Sequence, residues 1–271
     1  MYTILKIPFD KCIVEKERRG AALGPDVIEK EFENLFASKG TKNIVWKNIH
    51  ITDDFEKLHK EVEIEAAKAY AKDNFVIGLG GDHSVSYGLM KAFAKKFPKK
   101  SGLIYFDAHF DCQDDFLPPT HEDILRAVVK ENLFGKNIQH IGARNFTEKE
   151  RKFVTGKIRF CMANLFYATN APKAVLSYIK NFLNTINHVY VSVDIDAIDP
   201  AFAPGTGWPE PIGILPQHFI LLLCEILASG KLQGFDIVEV SPPKDINNIT
   251  ARLAATILAA ITKNLTRKTL V

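Results

Sequence analysis

Short apolar runs alternate with longer stretches of helical spacing along most of this chain. Phe75–Leu79, Leu103–Phe106, Ile138–Ile141, Val189–Val193 and Phe235–Val240 are rich in β-branched or aromatic residues, the pattern of strands buried on both faces. Met1–Phe9 also reads as a strand. Between these runs, Phe55–Ala71, Val85–Phe97, Ala171–Leu183, Gln217–Ser229 and Ile249–Leu265 carry good helix formers at helical spacing. Pro172 and Pro216 stand where helix starts tolerate proline, and Gly230 follows a helix end. Alternation of this kind predicts an α/β fold, a parallel sheet with helices on both faces, in which ligands collect beyond the carboxyl ends of the strands. No repeat, low-complexity tract or linker divides residues 1–271, so a single domain is expected.

Three of the predicted strands end in residues that suit a metal and not a core. Asp107-Ala108-His109-Phe110-Asp111 follows one run, Gly80-Gly81-Asp82-His83-Ser84 a second, and Asp194-Ile195-Asp196 a third. Strand alternation would turn positions 107, 109 and 111 to one side. Four carboxylates converging on one mouth, with two imidazoles beside them, would repel one another unless cations balanced them, and two divalent ions do so. The candidate ligands are therefore His83, Asp107, His109, Asp111, Asp194 and Asp196. Carboxylate-dominated ligation with one imidazole per metal favours Mn²⁺ over Zn²⁺. Metal coordination lowers the pKa of bound water by several units, which makes hydroxide accessible near neutral pH. Asp82 reads as a helix N-cap and Asp199, before Pro200, as a turn former.

Two further residues belong to the same picture. His121 stands ten residues past Asp111, beyond Pro118-Pro119, where the chain can fold it back over the site for proton shuttling. Glu239 closes a fourth apolar run, where its carboxylate would hold a cationic head, a planar guanidinium best of all. The remaining histidines, His50, His59, His140, His188 and His218, follow no ligand spacing.

Composition narrows the partners. The chain has 35 Lys+Arg against 32 Asp+Glu, and a net charge of +3 is too small to argue for nucleic acid. Its apolar runs are too short to cross a bilayer, and the strand-like start is unlike a secretory leader. Cys12, Cys112, Cys161 and Cys224 show no paired spacing and read as free thiols, so the cytoplasm is the expected compartment.

At these residues the sequence resembles the ureohydrolase family of arginases and agmatinases. The resemblance rests on Gly80-Gly81-Asp82-His83-Ser84, Phe106-Asp107-Ala108-His109-Phe110-Asp111, Ser192-Val193-Asp194-Ile195-Asp196 through Asp199-Pro200, and Gly234-Phe235-Asp236-Ile237-Val238-Glu239. Arg19-Gly20-Ala21-Ala22-Leu23-Gly24-Pro25 adds to it. It implies a three-layer α/β/α domain with a mostly parallel eight-stranded sheet, two Mn²⁺ ions per subunit, and a trimer or hexamer. It also implies that His83, Asp107, Asp111 and Asp194 hold one ion and His109, Asp107, Asp194 and Asp196 the other. The implied reaction is attack of a bridging hydroxide on a guanidino carbon, with Asp111 steadying the intermediate, His121 moving the proton and Glu239 holding the guanidinium.

The stretch Asp199–Gly207 and the later Pro209-Glu210-Pro211 look more like agmatinase than arginase. The loop between Asp111 and His121 carries Asp114 and Asp115 and no basic residue, so Asp114 is expected to favour an amine or neutral tail. Two departures from the family stand out. Trp208 replaces a smaller residue and could narrow the pocket or stack on a cation, and Glu122 replaces the usual glycine after His121. Arginine, guanidino acids and formimino compounds could use the same metal platform. A catalytically silent metal-binding homologue is the other alternative, but such proteins usually lose some of these eight residues.

Overall fold

In the computed structural model, which describes residues 1–36, 43–167 and 171–263, eight strands form one parallel sheet. In chain order they are β1 (Tyr2–Ile7), β2 (Ile44–Asn48), β3 (Phe75–Gly80), β4 (Ser101–Phe106), β5 (Ile138–Ala143), β6 (Arg159–Met162), β7 (His188–Asp194) and β8 (Leu232–Val238). Their spatial order is β2-β1-β3-β8-β7-β4-β5-β6. The helices are α1 (Gly24–Phe36), α2 (Phe55–Tyr70), α3 (Ser86–Lys96), α4 (Ile124–Lys130), α5 (Glu148–Val154), α6 (Ala171–Thr185), α7 (Pro216–Ala228) and α8 (Ile249–Thr262).

Two apolar cores lie on opposite faces of the sheet. One packs α1, α6, α7 and α8 against Ile104, Phe106, Val189, Val191, Val193, Phe235 and Ile237. The other packs α2, α3, α4 and α5 against Val76, Leu103, Tyr105, Tyr190 and Val238. Alternate residues of one strand thus feed different cores, which is why these strands are apolar throughout. The three-layer α/β/α architecture expected of the chain is the one observed.

The edges of the sheet, several short helices and the 13-residue α1 are the elements the hydrophobic pattern alone leaves unread. Strands β2 and β6 lie at the two edges and expose part of their length, so their runs are short and mixed with polar residues. Helices α4 and α5 have only seven residues each, too few to display a period. The run Phe235–Val240 is also not all strand. β8 ends at Val238, and Glu239 turns away with a left-handed φ of 62°. Leu265, the expected end of the last helix, lies outside the described residues.

The topology places the chemistry. The four central strands, β3, β8, β7 and β4, are neighbours, and each is followed at its carboxyl end by one of the polar motifs. Crossovers that run first to one side of the sheet and then to the other open a crevice at such a point. Gly81 shows how closely the segments meet there. A Cβ on it would sit 1.7 Å from the carbonyl oxygen of Phe9, so no larger residue fits between β1 and the motif.

Candidate metal centre

His83 is the centre of the first group of ligands. It opens a short 3-10 turn after β3, capped by Asp82, whose side chain accepts the Ser84 N–H. Its Nδ1 lies 3.0 Å from Asp107 Oδ2, 3.3 Å from Asp111 Oδ2 and 3.3 Å from Asp194 Oδ2. Its Nε2 lies 2.9 Å from Ser192 Oγ, and the Ser192 hydroxyl donates to Asp236 Oδ1 at 2.7 Å. Tyr190 donates to the other oxygen of Asp236 at 2.5 Å. Because the Ser192 proton goes to Asp236, Ser192 accepts from Nε2–H. That leaves Nδ1 facing three carboxylates, where only a proton or a cation is stable.

The second group forms around His109, whose Nδ1 is 3.0 Å from Asp196 Oδ2 and 3.5 Å from Asp107 Oδ1. The outer edge of the ring is held from the far side, with Nε2 3.5 Å from Glu210 Oε1. Arg144 fixes that neighbour. Its guanidinium donates to the carbonyls of Asp196 at 2.6 Å and Glu210 at 2.7 Å, tying the two loops together.

Ligand-capable atoms fall within 4.8 Å of one another in two sets, His83 with Asp107 and Asp194, and Asp107 with His109 and Asp196. Asp107 is common to both. Asp111 joins through His83 and through Tyr105, whose hydroxyl donates to its Oδ2 at 2.6 Å.

The convergence of 107, 109 and 111 has a different cause from strand alternation, because β4 stops at Phe106. Asp107 Oδ1 accepts the His109 N–H at 2.6 Å, and Asp111 adopts a left-handed φ of 47°. A tight turn, not a strand, gathers the three side chains.

The electrostatics of this donor set fit a pair of cations. Burial and then the charges of Asp111 and Asp196 push the Asp107 carboxyl up to about 7. Burial and the charges of Asp196 and Asp107 push Asp194 well above the usual carboxylate range. Burial alone would push the imidazole of His83 down, but its carboxylate hydrogen bonds raise it well above its ordinary value. His109 is raised against burial by the charge of Asp196 and by hydrogen bonds. Asp107 Oδ2 is buried, with the His83 imidazole 3.0 Å away. A site that lifts both imidazoles and two of its own carboxyls calls for positive charge.

A cavity of about 250 Å³ opens onto these residues, lined by His83, His109, Asp111, Asp194 and Asp196 from the ligand sets, with His121, Trp208 and Glu239 at its walls. His121 is buried, and its ring packs on that of Trp208 with centroids 5.0 Å apart. Burial is the main cause that lowers its pKa to about 4, so its imidazole is neutral at pH 7. Glu239 is 3% exposed. Its Oε1 accepts the His83 N–H at 2.8 Å, while Oε2 has no partner. Asp107 belongs to both ligand sets without lining the cavity, whereas Asp114, also predicted for the site, belongs to neither the sets nor the cavity lining. Its exposed carboxylate pairs with Lys149 instead.

The motifs assign no role to several participants, although Ser192 and Asp236 stand within them. Tyr105 stacks on His83 with centroids 4.6 Å apart and rings within 4° of parallel. Ser192, Asp236 and Tyr190 orient the same imidazole from below. All four sit inside apolar runs, and Tyr105 could have been found as the position two before Asp107 in the strand's alternation. The cavity wall also includes Gln113, Glu122, Asn145, Phe146, Thr147 and Glu150, brought in from loops and short helices.

The arginase family model matches residues 1–263. This chain belongs to the arginase family. Members of the family are metal-dependent hydrolases that act on guanidino and amidine C–N bonds, and the family uses a binuclear metal site. An agmatinase of Escherichia coli is 30% identical over 269 residues, which cover 94% of this chain and 84% of that protein. A formimidoylglutamase of Rhodococcus opacus is 28% identical over 251 residues, covering 89% of this chain and 78% of that one. Among solved structures, the agmatine ureohydrolase of Thermoplasma volcanium superposes with a TM-score of 0.82 at 30% identity. The superposition covers 96% of this chain and 88% of that chain. No helix among the described residues of this arginase-family chain is long and apolar enough to cross a membrane.

Proposed function

We propose that this protein cleaves a guanidino C–N bond of a small, agmatine-like compound to release urea and an amine. His83, Asp107, Asp111 and Asp194 would hold one Mn²⁺ ion, and His109, Asp107, Asp194 and Asp196 the other. Such a pair supplies a water that ionises near neutral pH. The observation that carries the reading is Glu239, a buried carboxylate with one oxygen held by His83 N–H and the other unpartnered in the cavity wall.

Glu239 Oε2 is the acceptor for a guanidinium N–H. The hydrogen bond to Oε1 keeps the carboxylate from rotating, which orients the guanidino carbon toward the ligand cluster. Asp111, held by Tyr105, accepts from a second guanidino nitrogen and steadies the tetrahedral carbon. His121 is neutral at the working pH, so one ring nitrogen can take a proton while the other gives one up. It thereby serves the amine that leaves.

No lysine or arginine among the described residues lines the cavity, which disfavours a substrate with a terminal carboxylate. Arg18 stands nearby, but its guanidinium lies over the Trp208 ring, 4.9 Å from the centroid. A urea-release screen of Mn²⁺-loaded protein tests the reading. It compares agmatine, arginine, guanidinobutyrate, guanidinopropionate, creatine, guanidine and a formimino amino acid, with ammonia and formamide release followed beside urea. Agmatine-like compounds should be turned over fastest. Formamide or ammonia release from a formimino compound, without urea from any guanidine, would move the activity to that other substrate class.

A further inference from the structure

The residue after His121 occupies the mouth of the cavity with its carboxylate free. The backbone of Glu122 is fixed, its N–H donating to Thr120 Oγ1 at 3.3 Å and its carbonyl accepting the Gln113 N–H at 2.9 Å. Next to it, buried Asp123 accepts the N–H groups of Phe116 at 2.9 Å and Thr120 at 2.7 Å, which pins the turn. The Glu122 side chain itself lines the cavity and has no hydrogen bond or ion pair among the described residues. Partial burial and the charges of Glu15, Asp111, Asp123 and Glu150 all act against its anion. A cation that reaches an anion in such company stabilises it.

A second observation lies deeper in the same cavity, where Glu239 is 3% exposed with Oε2 unpartnered. One cavity thus presents two carboxylates with an oxygen open to a ligand, one buried deep and one exposed at the mouth. We propose that Glu122 is a specificity-determining residue that accepts a terminal ammonium, so that the preferred substrate class is the guanidino-alkylamines, cationic at both ends. The proposal rests on the guanidino-hydrolase reading above, in which Glu239 takes the guanidinium end.

The test uses the full Mn²⁺-loaded chain and its Glu122→Gln and Glu122→Asp variants. Three probes differ only at the tail: agmatine with an ammonium, butylguanidine with a methyl, and 4-guanidinobutyrate with a carboxylate. Urea release gives KM and kcat, and calorimetric titration with 1,4-diaminobutane gives a binding constant independent of turnover. Glu122→Gln should raise KM for agmatine and weaken 1,4-diaminobutane binding by about tenfold each, the loss of one charge-assisted hydrogen bond. Butylguanidine should change less than about twofold, guanidinobutyrate should improve, and Glu122→Asp should recover part of the loss. Equal shifts for agmatine and butylguanidine, or none, would overturn the ammonium subsite and leave the hydrolase reading intact. If no probe yields urea while 1,4-diaminobutane binding still depends on Glu122, the hydrolase reading fails and the subsite stands.

Discussion

Ser192 holds the far side of His83, its Oγ 2.9 Å from Nε2, while its own hydroxyl proton goes to Asp236 at 2.7 Å. The consequence is felt at the other nitrogen, which is left facing Asp107, Asp111 and Asp194. A ligand imidazole whose second nitrogen is anchored in this way keeps one tautomer and one ring orientation. Ser192→Ala should therefore weaken metal retention by about 10- to 100-fold while the fold persists. Metal content after dialysis against a graded chelator measures this. Undiminished retention would show that His83 needs no such anchor.

His121 belongs to neither ligand set, yet it lines the same cavity. His121→Asn should leave metal content unchanged and lower kcat by roughly 10²- to 10⁴-fold, the usual range for a lost proton-transfer group. Single-turnover urea release from metal-saturated protein reads the effect directly. An unaltered rate would reduce His121 to packing under Trp208.

Trp208 has the His121 ring at 5.0 Å and the guanidinium of Arg18 at 4.9 Å from its ring centroid. Its ring therefore forms a wall as well as a cation-binding face. Trp208→Thr should widen the cavity and flatten the preference among guanidino compounds of different tail length, with metal content unaffected. If the ranking of substrates survives the substitution, the ring serves packing alone.

His59 gives the clearest pH dependence remote from the ligands. It is 5% exposed, both ring nitrogens lack a hydrogen-bond partner, and burial followed by the charge of Lys91 lowers its pKa from 6.5 to about 4. The unfolded chain keeps the higher value and so takes up a proton first as the pH falls. Stability from this residue is retained above pH 6.5, declines from there to about 4, and changes no further below that. The total is about 3 kcal/mol. His59→Leu should flatten the fall in urea-unfolding stability over that window, and an unchanged slope would contradict the assignment.

The residues of the ligand sets are legible because each is a polar side chain that abruptly ends an apolar run. Helices on both faces leave the mouth of the sheet as the place for such groups. What the sequence hides is the means of convergence. Alternation suggests that positions 107, 109 and 111 share a strand face, whereas a turn with Asp111 in a left-handed conformation brings them together. Tyr105, Ser192 and Asp236 are hidden because polar groups within a buried strand look like packing until their partners across the sheet are known. Asp114 misleads in the opposite direction. It lies in the loop between two site residues, but Lys149, from a helix later in the chain, draws it to the surface.

The account depends most on Asp107, whose Oδ2 turns to His83 at 3.0 Å and Oδ1 toward His109 at 3.5 Å. A crystal grown in excess Mn²⁺, with data collected at the manganese edge, tests it directly. The expected result is two anomalous peaks per chain, with one oxygen of Asp107 bound to each, and the loss of both peaks in Asp107→Ala. A single peak, or two peaks that survive the substitution at full height, would contradict the shared-carboxylate centre on which the proposed hydrolysis is built.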